Sequence, residues 1–149
     1  MTEYNWHIPD PQTQPEFYAD VPLKRLLAFV VDTVLIVIIC LLIVPFTAFV
    51  GLFFFPMLML AVGFAYRVVT IANGSATLGM RVFAIEFRTL AGNKFDLPLA
   101  ALHTAMLTGS FMFPLIQLAS IVMMMTSAHA QGVSDHILGT VVINRRAAA

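Results

Sequence analysis

The sequence predicts an all-α membrane protein with a transmembrane helical hairpin, a broken or re-entrant helix pair and a small cytoplasmic strand element. Two observations support this prediction. Sixty per cent of the 149 residues are hydrophobic and 11% are charged, whereas a soluble domain carries about 25% charged residues. The apolar residues also collect in long runs, as membrane helices require. No soluble fold of this size covers so many uncharged residues with polar surface, so we expect one multi-pass membrane domain.

The first two apolar runs predict the hairpin. Span one covers residues 23–44, and the following Pro45 is expected to end or kink it. Span two covers residues 49–69 and contains Pro56, which a membrane helix tolerates when neighbouring groups satisfy the freed carbonyl. The connection is only a few residues long, so the two spans are expected to be antiparallel.

The third apolar region predicts the broken helix pair. Residues 97–134 contain no Asp, Glu, Lys or Arg. This length is too great for one span of about 20 residues and barely enough for two. Gly109, Ser110 and Pro114 offer a break near the middle. The region therefore crosses once, crosses twice, or dips into the membrane and returns.

The basic residues indicate which side each segment faces. Cytoplasmic segments are enriched in Lys and Arg, and such residues precede span one at Lys24 and Arg25 and occur throughout the polar segment 70–96. Arg145 and Arg146 favour the same side for the C-terminus. We therefore expect both termini in the cytoplasm, which requires the third region to return. A single long crossing with an outside C-terminus is the alternative.

Two short segments predict a strand pair. Residues 81–88 alternate in polarity, with Phe83, Ile85 and Phe87 expected on one side. Residues 139–143 form a β-branched run. If Val141–Ile143 pairs with part of the alternating segment, both lie on one side of the membrane.

The remaining segments are expected to be tails. Residues 1–22 are polar and rich in proline, which predicts an extended or disordered N-terminal tail. Residues 23–144 form the membrane domain, and residues 145–149 form a short C-terminal tail.

The charges within the apolar runs are the candidate functional residues. Asp32 is the only Asp, Glu, Lys or Arg between Leu26 and Tyr66. A carboxylate in hydrocarbon costs about 2.5–3.5 kcal/mol on insertion scales and usually has a partner or a role. Arg25 lies seven positions earlier, close to two helical turns, so both side chains are expected on the same side, about 10 Å apart. Asp135 follows the third apolar region.

Three segments around these residues resemble one family. They are Lys24–Asp32, Thr77–Ile85 and Ser134–Val142. Together they are similar, in content and order, to the signatures of the RDD family of small bacterial membrane proteins, named for one arginine and two aspartates. The resemblance covers about residues 20–144.

The resemblance implies a multi-pass protein of the bacterial inner membrane with a cytoplasmic N-terminus. It implies a signature charge cluster of Arg25, Asp32 and Asp135. Members of the family have been linked to cation/proton antiport or occur as accessory membrane modules. The second segment supplies three secondary candidates: Thr77, Gly79 and Arg81.

Two functional hypotheses follow. In the first, the Arg–Asp–Asp cluster is structural and fixes the helix register of a non-catalytic module that scaffolds or assembles a partner. The alternative is a small oligomeric transporter, such as a cation/proton antiporter, in which Asp32 is the ion- or proton-binding carboxylate.

Other classes find little support in the sequence. There is no nucleophile–base pair, phosphate loop or Cys/His zinc set, so we expect neither an enzyme nor a metal or cofactor. Net charge is zero, which gives no reason to expect nucleic acid. The expected partners are the lipid bilayer, a second copy or another membrane protein, and a monovalent cation or proton. His103 is expected to bridge helices or lie at the interface, and Tyr66 to mark an interface.

Overall fold

The computed structural model describes residues 8–144, which form six α-helices and one two-stranded antiparallel sheet. The elements are α1 Val21–Ile43, α2 Phe55–Ala72, α3 Leu78–Val82, β1 Ile85–Thr89, α4 Leu97–Met112, α5 Pro114–Thr126, α6 Val133–Leu138 and β2 Thr140–Asn144. The predicted fold class is confirmed: a mostly helical membrane-type protein with a helical hairpin, a bent helix pair and a small sheet.

The hairpin consists of α1 and α2, which are long and apolar enough to cross a membrane. At 1.5 Å per residue they are about 35 and 27 Å long, close to the thickness of a bilayer core of about 30 Å. The Tyr66 hydroxyl bonds Asp32, and Ile36 packs on Gly63, where an added Cβ would lie 3.6 Å from it. This order of contacts shows that the two helices run antiparallel.

The prolines delimit the hairpin. Helix α1 ends at Ile43, and Pro45 lies in the 3-10 turn that follows, as expected. The predicted start of span two at residue 49 is wrong, because α2 begins at Phe55. Pro56 therefore lies in the first turn of α2, where its missing N–H has no intrahelical acceptor to lose.

The third apolar region is bent by 118° between α4 and α5. Asp96 caps α4 by accepting a hydrogen bond from the Leu99 amide at 3.0 Å. Asp135 follows α5 in the chain, yet it contacts His103 near the start of α4. The chain thus returns to the end from which it left, as expected for a region that either crosses twice or dips into the membrane and returns.

The sheet closes one end of the molecule, called the sheet end below. Strands β1 and β2 are antiparallel, with Phe87 opposite Val142, so the predicted pairing is confirmed. The Lys24 ammonium donates to the Asn144 side-chain oxygen at 2.8 Å. The start of α1 and the end of β2 are therefore adjacent, on the same end as the segment between α2 and α4.

The predicted start of the first strand at residue 81 is wrong. Leu78–Val82 form α3 instead, because the Thr77 hydroxyl caps this helix by accepting from the Met80 amide. Ala84 has a positive φ of 55°, which separates the helix from β1. Ile85, Glu86 and Phe87 are all buried, so the strand is covered on both faces rather than alternating.

The N-terminal segment is more ordered than predicted. A 3-10 turn forms at Pro15–Phe17, and Phe17 and Tyr18 are buried against Val141 and Ile143. These two aromatics cover apolar side chains of β2, which explains why an extended or disordered tail is not seen over the residues just before α1. The first part of the predicted tail and the predicted C-terminal tail 145–149 lie outside the described residues.

The outer surface of the helices is apolar. Leu42 on α1, Met57 on α2 and Leu115 on α5 expose 65%, 68% and 81% of their surface. A soluble monomer rarely exposes large contiguous apolar patches. These faces are suited to lipid, and the protein is a membrane protein.

Candidate functional site

Asp32 lies in the middle of α1 with 1% of its surface exposed. One carboxylate oxygen accepts hydrogen bonds from the Tyr66 hydroxyl at 2.7 Å and the Gly79 amide at 2.9 Å. The other accepts from the Thr77 hydroxyl at 2.6 Å. These four residues are the Asp32 site, which joins α1 to α2 and to the start of α3.

The start of α3 is shaped to reach this carboxylate. Thr77 is the N-cap of α3, so its hydroxyl accepts from the Met80 amide while it donates to Asp32. Gly79 allows the backbone to approach: a Cβ there would lie 2.3 Å from the Ala28 carbonyl oxygen and 2.9 Å from an Asp32 oxygen. Only glycine fits this position without a shift of the backbone.

Asp135 is fully buried at the sheet end. One oxygen accepts from Arg25 at 2.6 Å and from the Gly132 amide at 3.0 Å. The other accepts from His103 Nε2 at 2.9 Å and from the Thr140 hydroxyl at 3.0 Å. These five residues are the Asp135 site, which joins α1, α4, α6 and β2.

The electrostatics of the Asp135 site favour the charged acid. Burial by itself would raise the pKa of Asp135, but the positive charge of Arg25 and the hydrogen bond from His103 outweigh it, so the pKa is well below its usual value. Arg25 is only 13% exposed and also lies 5.9 Å from the centre of the Phe87 ring. The Asp135 site is therefore a buried ion pair with further hydrogen bonds.

Of the three signature residues, the structure joins two by a direct ion pair. The structure brings Arg25 to Asp135, but no Lys, Arg or His nitrogen within residues 8–144 lies within 4.0 Å of an Asp32 oxygen. Within the predicted Arg–Asp–Asp group, the direct contact is therefore the one between Arg25 and Asp135. Although Arg25 and Asp32 lie almost two turns apart on α1, Arg25 reaches the C-terminal elements while Asp32 faces α2 and α3.

The three secondary candidates do not all belong to the same site. Thr77 and Gly79 belong to the Asp32 site, whereas Arg81 reaches neither carboxylate. Its guanidinium donates to the Thr70 carbonyl oxygen at 3.2 Å, in an exposed position. Arg81 thus links the end of α2 to α3.

Sequence reasoning did not assign Tyr66 or His103 to the carboxylates. Antiparallel pairing of the two spans places Tyr66 at the depth of Asp32. The polar hydroxyl of a tyrosine at that depth could have indicated a hydrogen bond to the carboxylate. His103 was the only residue with a titratable side chain between Asp96 and His129, and a buried imidazole needs a partner. Neither observation identifies which aspartate the side chain contacts.

Comparison with known proteins gives one match. A family model described as the RDD family matches residues 20–139. The matched range contains both carboxylates and every donor to them except Thr140. No curated protein and no solved structure matches the chain.

Proposed function

Since this chain belongs to the RDD family, we propose that it is a non-catalytic module of the bacterial inner membrane that scaffolds or assembles a partner. The two carboxylate sites have a structural role in this proposal. They hold α1 against the other helices and the sheet, and leave the apolar outer faces for a second copy or another membrane protein.

The hydrogen bonding of Asp32 supports this proposal most directly. A carboxylate offers about four acceptor positions, and three of them are filled by donors from α2 and α3. A residue that binds and releases a cation or proton needs open positions and a route to water. The 1% exposure of Asp32 therefore favours a structural role over transport.

The distribution of basic residues supports a cytoplasmic N-terminus. Lys24 and Arg25 begin α1, and Arg81 and Arg88 lie in or near the sheet between α2 and α4. All four belong to the sheet end. By the positive-inside rule, the sheet end faces the cytoplasm in our proposal.

The test compares stability with ion flux. In a structural role, Asp32→Asn leaves at least one donor of the Asp32 site without an acceptor, which costs about 1–3 kcal/mol and lowers the melting temperature in detergent. Wild-type proteoliposomes should show no Na⁺, K⁺ or proton flux above empty vesicles. The matched control is Asp96→Asn, which exchanges the same groups at a helix cap where asparagine serves equally well.

The opposite result would support the transport hypothesis. Wild-type flux that Asp32→Asn abolishes, with an unchanged melting temperature, would mean that Asp32 binds the transported cation or proton. The structural proposal would then be wrong.

A further inference from the structure

Arg67 is a cation inside the membrane-spanning helix α2, and it donates no hydrogen bond to Asp32 or Asp135. It lies five residues before the end of α2 and is half-buried. Its guanidinium lies 5.3 Å from the centre of the Phe29 ring, and Asp32 and Tyr66 are near enough for electrostatic interaction. Within residues 8–144, no carboxylate oxygen lies within 4.0 Å of it, and the hydrogen bonds of Asp32 come from other donors.

An apolar groove of about 480 Å³ runs from Arg67 between α1, α2 and α4. We call it the Arg67 groove. It is open at the side, because Leu60, Phe64 and Phe111 on its walls are 37–49% exposed. Its remaining lining is almost entirely apolar, with Thr33 and Thr108 as the polar side chains besides Arg67.

The length of the groove fits one lipid chain. Along α2 it extends from Arg67 to Pro56, eleven residues or about 16 Å. Half of a bilayer core is about 15 Å. The groove starts at Arg67, five residues inside the sheet end of α2, and runs to the first turn of α2, so a chain in it would point away from the sheet end.

We propose that the Arg67 groove binds an anionic phospholipid of the leaflet at the sheet end. One acyl chain lies along the groove, and the phosphate accepts hydrogen bonds from the Arg67 guanidinium. The planar guanidinium matches phosphate oxygens in a bidentate manner. This site uses none of the side chains that donate hydrogen bonds to Asp32 or Asp135.

Charge complementarity argues against a second copy as the occupant. Between residues 26 and 66 the only acidic residue is Asp32, which is buried and already holds three donors. The membrane-spanning hairpin of another copy therefore has no exposed carboxylate to offer Arg67. A phospholipid supplies both the anion and the apolar chain.

The test is lipid binding to the full chain in neutral detergent. Native mass spectrometry would measure binding of 1-palmitoyl-2-oleoyl-phosphatidylglycerol against the matching phosphatidylcholine and against oleate. We expect wild type to prefer phosphatidylglycerol. Arg67→Gln should weaken that binding roughly tenfold or more, as loss of a charge-assisted hydrogen bond predicts, and Thr108→Phe should do the same by filling the groove.

The matched control is Arg81→Gln, which removes the same charge at an exposed position outside the groove and should change affinity less than twofold. Arg67→Lys keeps the charge without the planar fork, and an intermediate loss is expected. If Arg67→Gln does not fold, Arg67→Lys and Thr108→Phe decide the result.

Several outcomes would overturn the proposal. Equal losses of affinity for phosphatidylglycerol in Arg81→Gln and Arg67→Gln would indicate general attraction between the lipid and the basic surface of the protein. Phosphatidylcholine carries the same phosphate but no net charge, so equal binding of this lipid would contradict the preference for an anionic headgroup. Tighter binding of oleate would identify a fatty-acid site. A change in oligomeric state on Thr108→Phe without a change in lipid binding would assign the groove to a second copy.

Discussion

Two buried aspartates in this chain are stabilised in different ways. Asp135 is paired with a cation, whereas Asp32 is held by a tyrosine, a threonine and a backbone amide. Helical spacing correctly placed Arg25 and Asp32 almost two turns apart on α1. It could not identify their partners, because these lie 34 to 110 residues away and depend on how the other helices pack.

We expect Asp135→Asn to destabilise the protein more than Asp32→Asn does. The change leaves Arg25 buried without its anion, and breaking a buried pair in this way costs about 3–5 kcal/mol. Thermal melting in detergent measures the difference. In a double-mutant cycle, the loss of stability in the double variant Arg25→Met, Asp135→Asn should be smaller than the sum of the losses in the two single variants. Strictly additive losses of stability would argue against the pairing.

The Asp135 site should also make stability depend on pH. Because Arg25 and His103 lower the pKa of Asp135 in the fold, the folded protein holds fewer protons there than the unfolded chain. The stabilisation is present above the unfolded pKa of about 3.9 and is lost as the pH falls below it toward the folded value. Melting temperatures at pH 7, 5, 4 and 3 should therefore fall more steeply below pH 4 in wild type than in Asp135→Asn. Parallel curves would contradict this assignment.

At the scale of the elements, the close contact of α3 with α1 depends on Gly79. Apolar length was enough to predict that two spans exist, and Gly109, Ser110 and Pro114 indicated the break in the third apolar region. It could not predict α3, which is five residues long and depends on the Thr77 cap and on burial against Ala28 and Asp32. The strand was therefore predicted to begin at residue 81, although the first residues of the alternating segment belong to α3.

We expect Gly79→Ala to separate α3 from α1. The added Cβ would meet the Ala28 carbonyl oxygen at 2.3 Å, and overpacking of this kind costs about 1–3 kcal/mol or more. The control is Gly109→Ala in α4, where a Cβ meets nothing within 4 Å and alanine is the better helix former. A lower melting temperature for Gly79→Ala alone is the expected result, and equal effects at both glycines would contradict it.

At the scale of the whole molecule, the bent helix pair and the sheet bring β2 back to the start of α1. The sequence supported this return through its basic residues, but only the contacts between β1 and β2 and between His103 and Asp135 show it. Charge distribution cannot distinguish two crossings from one dip into the membrane, since both return the chain to the same side.

This topology predicts that reporters at both ends are active on one side. Fusions before Met1 and after Ala149 should both report the same side, because the start of α1 and the end of β2 are in contact; in our proposal this side is the cytoplasm. A fusion in the α1–α2 connection, after Phe49, serves as the control and should report the opposite side. Opposite locations for the two end fusions would contradict the topology.

The position of Asp135 in the chain has a consequence for biosynthesis. Arg25 is made 110 residues before its partner, which at roughly 5–20 residues per second is a delay of about 6–22 s. During that time α1 is complete while the arginine near its start has no acid from the C-terminal segment. The nascent hairpin must therefore wait in the membrane with that charge at the surface, and the fold closes only after Asp135 and β2 have been translated.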